Sequence, residues 1–73
     1  MNKEKKSVAI IGCGNMGSAI LKAIASSPRY SVSVYNRTKE KAIKVASGLN
    51  VQVLDNMEDA KNSDIVIIAT KPQ

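Results

Sequence analysis

The sequence predicts an α/β fold: a parallel sheet with strand order 3-2-1-4, built as β-α-β-α-β-α-β. Three observations predict it. Short apolar runs alternate with segments of helical periodicity, the pattern of a parallel sheet with crossover connections. The first apolar run ends in Gly12-Cys13-Gly14-Asn15-Met16-Gly17, a glycine-rich turn set between a strand and a helix. Every connection returns to a parallel strand, and such crossovers are right-handed, which leads to the order 3-2-1-4.

Each element has its own signal. Residues 1–6 form a basic tail, read as flexible, and 7–73 form one domain. Ser7 to Ile11 is a continuous apolar run of the kind buried on both faces of a parallel sheet. Asn15 to Ser26 carries Met16, Ala19, Ile20, Ala23 and Ile24 at helical spacing, and Ser27-Pro28 stops it. Tyr30 to Tyr35 alternates with a strand period. Thr38 is placed to cap a helix running to Ser47, with Glu40 in its first turn, Ala42, Val45 and Ala46 on its inner stripe and Gly48 at its end. Val51 to Leu54 is a short third strand. Asn56 is placed to cap a short helix from Met57 to about Asn62. Asp64 to Ala69 is the most apolar strand of all.

Composition narrows the function. The chain has 73 residues, at the low edge of what folds alone as one domain. With no Trp, Phe or His and only 2 Tyr, the core must come from aliphatic side chains. The net charge of +5 is spread over the tail (Lys3, Lys5, Lys6), the first helix (Lys22) and the outer face of the second (Lys39, Lys41, Lys44). That spread, with so few aromatics to stack on bases, argues against a nucleic-acid partner. It suits a phosphate-rich ligand. Cys13 is the only cysteine, so a disulfide framework and a Cys-x-x-Cys metal site are excluded. No run approaches the roughly 18 apolar residues a membrane span needs, and the charged start does not lead into a signal-peptide core. These features point to a cytoplasmic protein.

The glycine loop carries the main functional signal. Gly12 permits the turn off the strand, Gly14 lets backbone approach a pyrophosphate, and Gly17 lets the helix pack closely. The helix N-terminus then offers free N–H groups and a partial positive charge. Asn15 has two roles open to it, a donor to phosphate or a helix cap. Met16 reads as core or pocket wall. Cys13 has no His or second Cys to activate it and reads as a small residue between glycines.

About 20 positions after such a loop, NAD-specific folds place an acidic residue on the adenosine ribose. This chain has Asn36-Arg37-Thr38 there. No carboxylate stands to repel a 2′-phosphate, Arg37 can pair with one through its fork of donors, and Asn36 and Thr38 add neutral donors. NADP(H) is therefore the expected cofactor, with NAD(H) as the lesser alternative. The competing reading leaves Arg37 as a solvated charge and Thr38 as a plain cap.

Three motifs in order, Gly12-Cys13-Gly14-Asn15-Met16-Gly17-Ser18-Ala19-Ile20, Tyr35-Asn36-Arg37-Thr38-Lys39-Glu40-Lys41-Ala42 and Asp64 through Gln73, resemble the amino-terminal Rossmann-type domain of pyrroline-5-carboxylate reductase. That family reduces 1-pyrroline-5-carboxylate to L-proline with NAD(P)H, the last step of proline biosynthesis. The resemblance implies that residues 12–17 contact the pyrophosphate and that Asn36, Arg37 and Thr38 lie by the ribose phosphate. It places Asn56 near the adenosine, and Ala69, Thr70, Lys71 and Pro72 along the ribose and nicotinamide. Thr70 departs from the valine usual in that segment. Lys71 has two readings, a cation for a phosphate or substrate group and a solvated loop lysine before Pro72. No catalytic residue is assigned.

Members of that family continue into a helical domain that dimerises and supplies most of the pocket for the small imine substrate. The resemblance thus implies a homo-oligomeric parent enzyme of which this chain is the cofactor-binding part, inactive alone. The exposed edge of the fourth strand is then expected to self-associate. Two other readings share the loop. β-Hydroxyacid and phosphogluconate dehydrogenases have a similar loop and an Asn-Arg-Thr segment, but Ser18-Ala19-Ile20 and Lys71-Pro72-Gln73 look more like the reductase. A non-catalytic NADP-binding sensor would need only the half-fold present.

Overall fold

In the computed structural model the described residues are 6–69; the tail up to residue 5 and the segment holding Thr70, Lys71 and Pro72 lie outside them. Four strands, β1 (Lys6–Ile11), β2 (Tyr30–Tyr35), β3 (Val51–Val53) and β4 (Ile65–Ile68), form one sheet in the order β3-β2-β1-β4. Every pairing is parallel: Ile11 stands beside Tyr35 on one side and Ile68 on the other, and Val34 stands beside Val53. This is the predicted Rossmann-type α/β topology. Lys6, read as part of the tail, is instead the first residue of β1 and pairs with Tyr30.

The sheet has two unlike faces. Helices α1 (Asn15–Ala25) and α2 (Lys39–Ala46) cover one. There Val8 and Ile10 of β1 and Val32 and Val34 of β2 pack with Leu21, Ala42 and Ala46. A short 3₁₀ helix, α3 (Met57–Asn62), covers part of the other, where Ala60 and Leu54 meet Ala9 and Ile11. Strand β1 is buried on both faces from Val8 to Ile11, as its unbroken apolar run predicts.

The buried stripe of α1 keeps the predicted Ile20 and Ile24, which pack against the main core, but not the other predicted residues. Gly17 and Leu21 are buried, with Leu21 fully enclosed, while Ala19 and Ala23 are exposed and Met16 is 68% exposed. Met16 is therefore not core. Its helix is rotated to bring Gly17 against β1, and that rotation swings Met16 outward.

Cap positions are also corrected. Gly14, not Asn15, is the N-cap of α1; Asn15 is the first helical residue. Thr38 and Asn56 do stand at N-cap positions, but neither side chain makes a cap bond. Their carbonyls accept instead, from Lys41 N–H at 3.1 Å and Asp59 N–H at 3.1 Å. Helices α1 and α2 each end a residue short of the expected bound, at Ala25 and Ala46, and β3 ends at Val53. Leu54 is buried just beyond it, its N–H held by Val34 O at 2.8 Å.

Strand β4 is shorter than its apolar run, and only its Ile67 packs on the main core. As the edge strand it leaves Ile65, Val66 and Ile68 exposed. Its start is tied to β1: the Asp64 carboxylate accepts from the Ser7 N–H (2.9 Å) and hydroxyl (3.2 Å), and the Ser7 oxygen accepts from Asp64 N–H (2.9 Å). Among the described residues no helix is long and apolar enough to cross a membrane.

Candidate functional site

Parallel pairing brings the carboxyl ends of all four strands to one edge of the sheet. Gly12 follows β1, Asn36 follows β2, Leu54 and Asp55 follow β3, and Ala69 follows β4. Order 3-2-1-4 with α1 and α2 on one face places the glycine loop at the middle of this edge, where such sheets bind ligands.

The three glycines differ physically. Gly12 has φ of +107°, a conformation that side chains rarely adopt, so the turn off β1 requires glycine. A Cβ on Gly17 would collide with the Gly12 carbonyl, coming to 3.2 Å from its carbon and 3.3 Å from the Ala69 Cβ. Gly17 is thus the contact that seats α1 on the sheet. Gly14 has ordinary angles, and a Cβ there would meet nothing within 4 Å. Neither packing nor backbone strain accounts for glycine at this position. The space beside it is open, which leaves this stretch of backbone accessible.

Helix α1 supplies the charge. Its first internal bond runs from Ser18 N–H to Gly14 O at 2.8 Å, so the amides of Asn15, Met16 and Gly17 precede the helical ladder and point out of its N-terminus. No acidic residue stands in the first turn to oppose an anion. The Ser18 hydroxyl donates to Cys13 O at 3.1 Å and so fixes the carbonyl side of the loop.

On the other side the loop is held to the end of β2. Gly12 N–H donates to Tyr35 O at 2.8 Å, and Cys13 N–H donates to the Asn36 Oδ1 at 3.1 Å. The Asn36 Nδ2 donates in turn to Thr38 O at 2.9 Å. Asn36 is half-buried between the two segments, while Arg37 and Thr38 are exposed beyond it. Partial burial pushes the Cys13 thiol pKa up, and the Lys41 ammonium offsets this only in part.

The structure brings together residues 12–17, Asn36 and Ala69. Ala69 N–H donates to Ile11 O at 2.8 Å and its Cβ lies by Gly17. Arg37 and Thr38 share the same edge. Asn56 is exposed at the start of α3, next to Asp55, whose carboxylate pairs with Lys39 of α2. Lys41 is exposed on α2, as its reading as an outer-face charge has it, and its charge lowers the Cys13 pKa slightly. An open polar groove on the α3 side, lined by Ser7, Ser31, Ser33 and Gln52 among others, contains none of these residues.

Comparison with known proteins agrees with this geometry. Residues 7–73 match the family described as NADP oxidoreductase coenzyme F420-dependent. The chain is 40% identical over 70 residues to the glutamyl-tRNA reductase of Methanocaldococcus jannaschii, covering 92% of this chain and 18% of that protein. Among solved structures it resembles an imine reductase variant from Myxococcus stipitatus in complex with NAD+, with TM-score 0.76 and 34% identity over 90% of this chain and 23% of the other. It also resembles the Δ1-pyrroline-2-carboxylate reductase of Thermococcus litoralis in complex with NADH and L-proline, with TM-score 0.73 and 27% identity over 94% and 24% of the two chains. The chain thus spans about a fifth of the length of the proteins it matches.

Proposed function

The chain belongs to the NADP oxidoreductase coenzyme F420-dependent family, and on that premise we propose that it is the cofactor-binding portion of an NADPH-dependent reductase that converts 1-pyrroline-5-carboxylate to L-proline. The observation that carries the cofactor half is Gly14: an open backbone position at a helix N-terminus free of acids, beside an Asn-Arg-Thr segment that has no carboxylate. The substrate half is supported by the three motifs and by the likeness to reductases of C=N bonds.

Residues 12–17 surround the pyrophosphate, and the N–H groups of Asn15, Met16 and Gly17, which precede the helical ladder, donate to it. Arg37 pairs with the 2′-phosphate of NADP(H), with Thr38 beside it, and NAD(H) is accommodated less well. Asn56 borders the adenosine, and Ala69, Thr70, Lys71 and Pro72 border the ribose and nicotinamide. Bound there, the dinucleotide supplies a hydride for the carbon of the imine C=N bond. The pocket for that small-molecule substrate, and the contacts of a homo-oligomer, are assigned to a further helical domain, as in the reductases the motifs resemble. The setting is the cytoplasm, with no membrane partner.

Binding and turnover test the two halves separately. NADPH is expected to bind more tightly than NADH, and Arg37→Ala to erase most of the difference, about tenfold or more in Kd for loss of a charge-assisted pair. Equal or tighter NADH binding by the unaltered protein would sink the NADP preference. Proline formation from 1-pyrroline-5-carboxylate by the parent protein is the substrate test, and no turnover with either cofactor overturns it. A second reading, the NADP-binding part of a glutamyl-tRNA reductase, is favoured by the 40% identity over 70 residues. Reduction of glutamyl-tRNA in place of the imine would select it.

A further inference from the structure

We infer that Asn36 serves the site as a positioning residue: its carboxamide clamps the pyrophosphate loop to the ribose-phosphate loop and sets their spacing before any ligand arrives. This rests on the dinucleotide reading above and departs from the expectation that Asn36 simply donates to the 2′-phosphate.

The argument begins with the two hydrogen bonds. Asn36 Oδ1 accepts from Cys13 N–H at 3.1 Å, and Nδ2 donates to Thr38 O at 2.9 Å. One partner is an obligate donor and the other an obligate acceptor, so the amide has a single orientation that satisfies both. The contact joins residues 23 apart in sequence and is partly buried. Cys13 lies between Gly12 and Gly14, so this bond holds the segment that carries Gly14. Thr38 is the N-cap residue of α2, so the second bond ties the carboxamide to the start of that helix.

Residue chemistry explains the choice of asparagine. Aspartate would accept from Cys13 but would set a carboxylate against the Thr38 carbonyl. Serine would be too short to span both partners. Only a carboxamide of this length accepts at one end and donates at the other. The clamp acts on parts of the site that NADPH and NADH share, whereas Arg37 acts on the 2′-phosphate alone.

The test measures NADPH and NADH dissociation constants, with Cys13 amide hydrogen exchange in the ligand-free protein. Asn36→Ala is expected to weaken both dinucleotides alike, by about three- to tenfold, and to leave their ratio unchanged. The Cys13 amide should exchange faster in this variant. Asn36→Asp keeps the acceptor and should keep that amide protected, and it carries the test should the alanine variant not fold. Loss of NADPH binding alone in Asn36→Ala overturns the clamp and makes Asn36 a direct phosphate ligand. Unchanged Cys13 exchange in Asn36→Ala, or lost protection in Asn36→Asp, overturns it as well. If the unaltered protein binds neither dinucleotide, the cofactor reading fails, and the exchange of the Cys13 amide without ligand still decides whether the clamp exists.

Discussion

The first and third crossovers both return the chain to a strand beside β1, but they are held in different ways. The first is the eleven-residue helix α1, seated by backbone contact at Gly17 and by the fully enclosed Leu21. The third is the six-residue 3₁₀ helix α3, whose buried anchor is the methyl group of Ala60. A helix that must aim its N-terminus at a ligand has to be fixed in angle and depth. On the reading proposed above α3 contributes only Asn56, at its start, and needs no such fixing. The difference in packing therefore separates the crossover that builds the site from the one that closes the fold.

The sharpest way to break this comparison is to remove the buried side chain from each crossover. Leu21→Ala deletes an enclosed side chain and should cost about 2–5 kcal/mol, enough to unfold much of a small domain. Ala60→Gly removes one methyl and should cost about 1 kcal/mol. Denaturant unfolding of the two variants checks the ranking. Equal losses would mean that the two crossovers are anchored alike.

The glycines of the loop sharpen the comparison within the first crossover. In Gly17→Ala the new Cβ meets the backbone of Gly12, which has no rotamer to yield, so α1 must lift from the sheet. The expected outcome is a loss of about 1–3 kcal/mol, with cofactor binding lost as the helix N-terminus moves. In Gly14→Ala the Cβ meets open space, so the melting temperature should stay unchanged while Kd for both dinucleotides rises by about tenfold. A Gly14→Ala variant that binds as tightly as the unaltered protein would remove the pyrophosphate from this loop.

Most of this architecture was legible in the sequence because it rests on local signals. Strand and helix periods, with the handedness of crossovers, lead to the order 3-2-1-4. The glycine spacing locates the loop. What was not legible depends on depth and rotation. The apolar residues of α1 fit two overlapping stripes, one through Met16 and Ala23 and one through Leu21; the close approach at Gly17 selects the second. The bond of Asn36 to Cys13 arises only once β1 and β2 lie side by side. Spacing marked that segment for the ribose phosphate, but no local pattern shows which partners a carboxamide will take.

The smallest expected effect concerns the end of the third crossover, which is tied down by a titratable bond. Ser7, through its N–H and its hydroxyl, holds the Asp64 carboxyl below its ordinary pKa of 3.8, and the charge of Lys6 adds to this. A carboxyl whose folded pKa is depressed stabilises the fold at every pH above its unfolded value. That contribution declines as pH falls below about 4 and is gone once the folded pKa has been passed. The group is solvent-exposed, so the effect on melting temperature should be slight. Asp64→Ala should melt a little below the unaltered protein from pH 8 down to pH 5, with the gap closing under about pH 4. Leu21→Ala should show no such closure in that acid range, because its loss is one of packing. A gap for Asp64→Ala that persists in acid would show that the protonated carboxyl holds Ser7 as well as the charged one, and the third crossover would then be as insensitive to charge as the first.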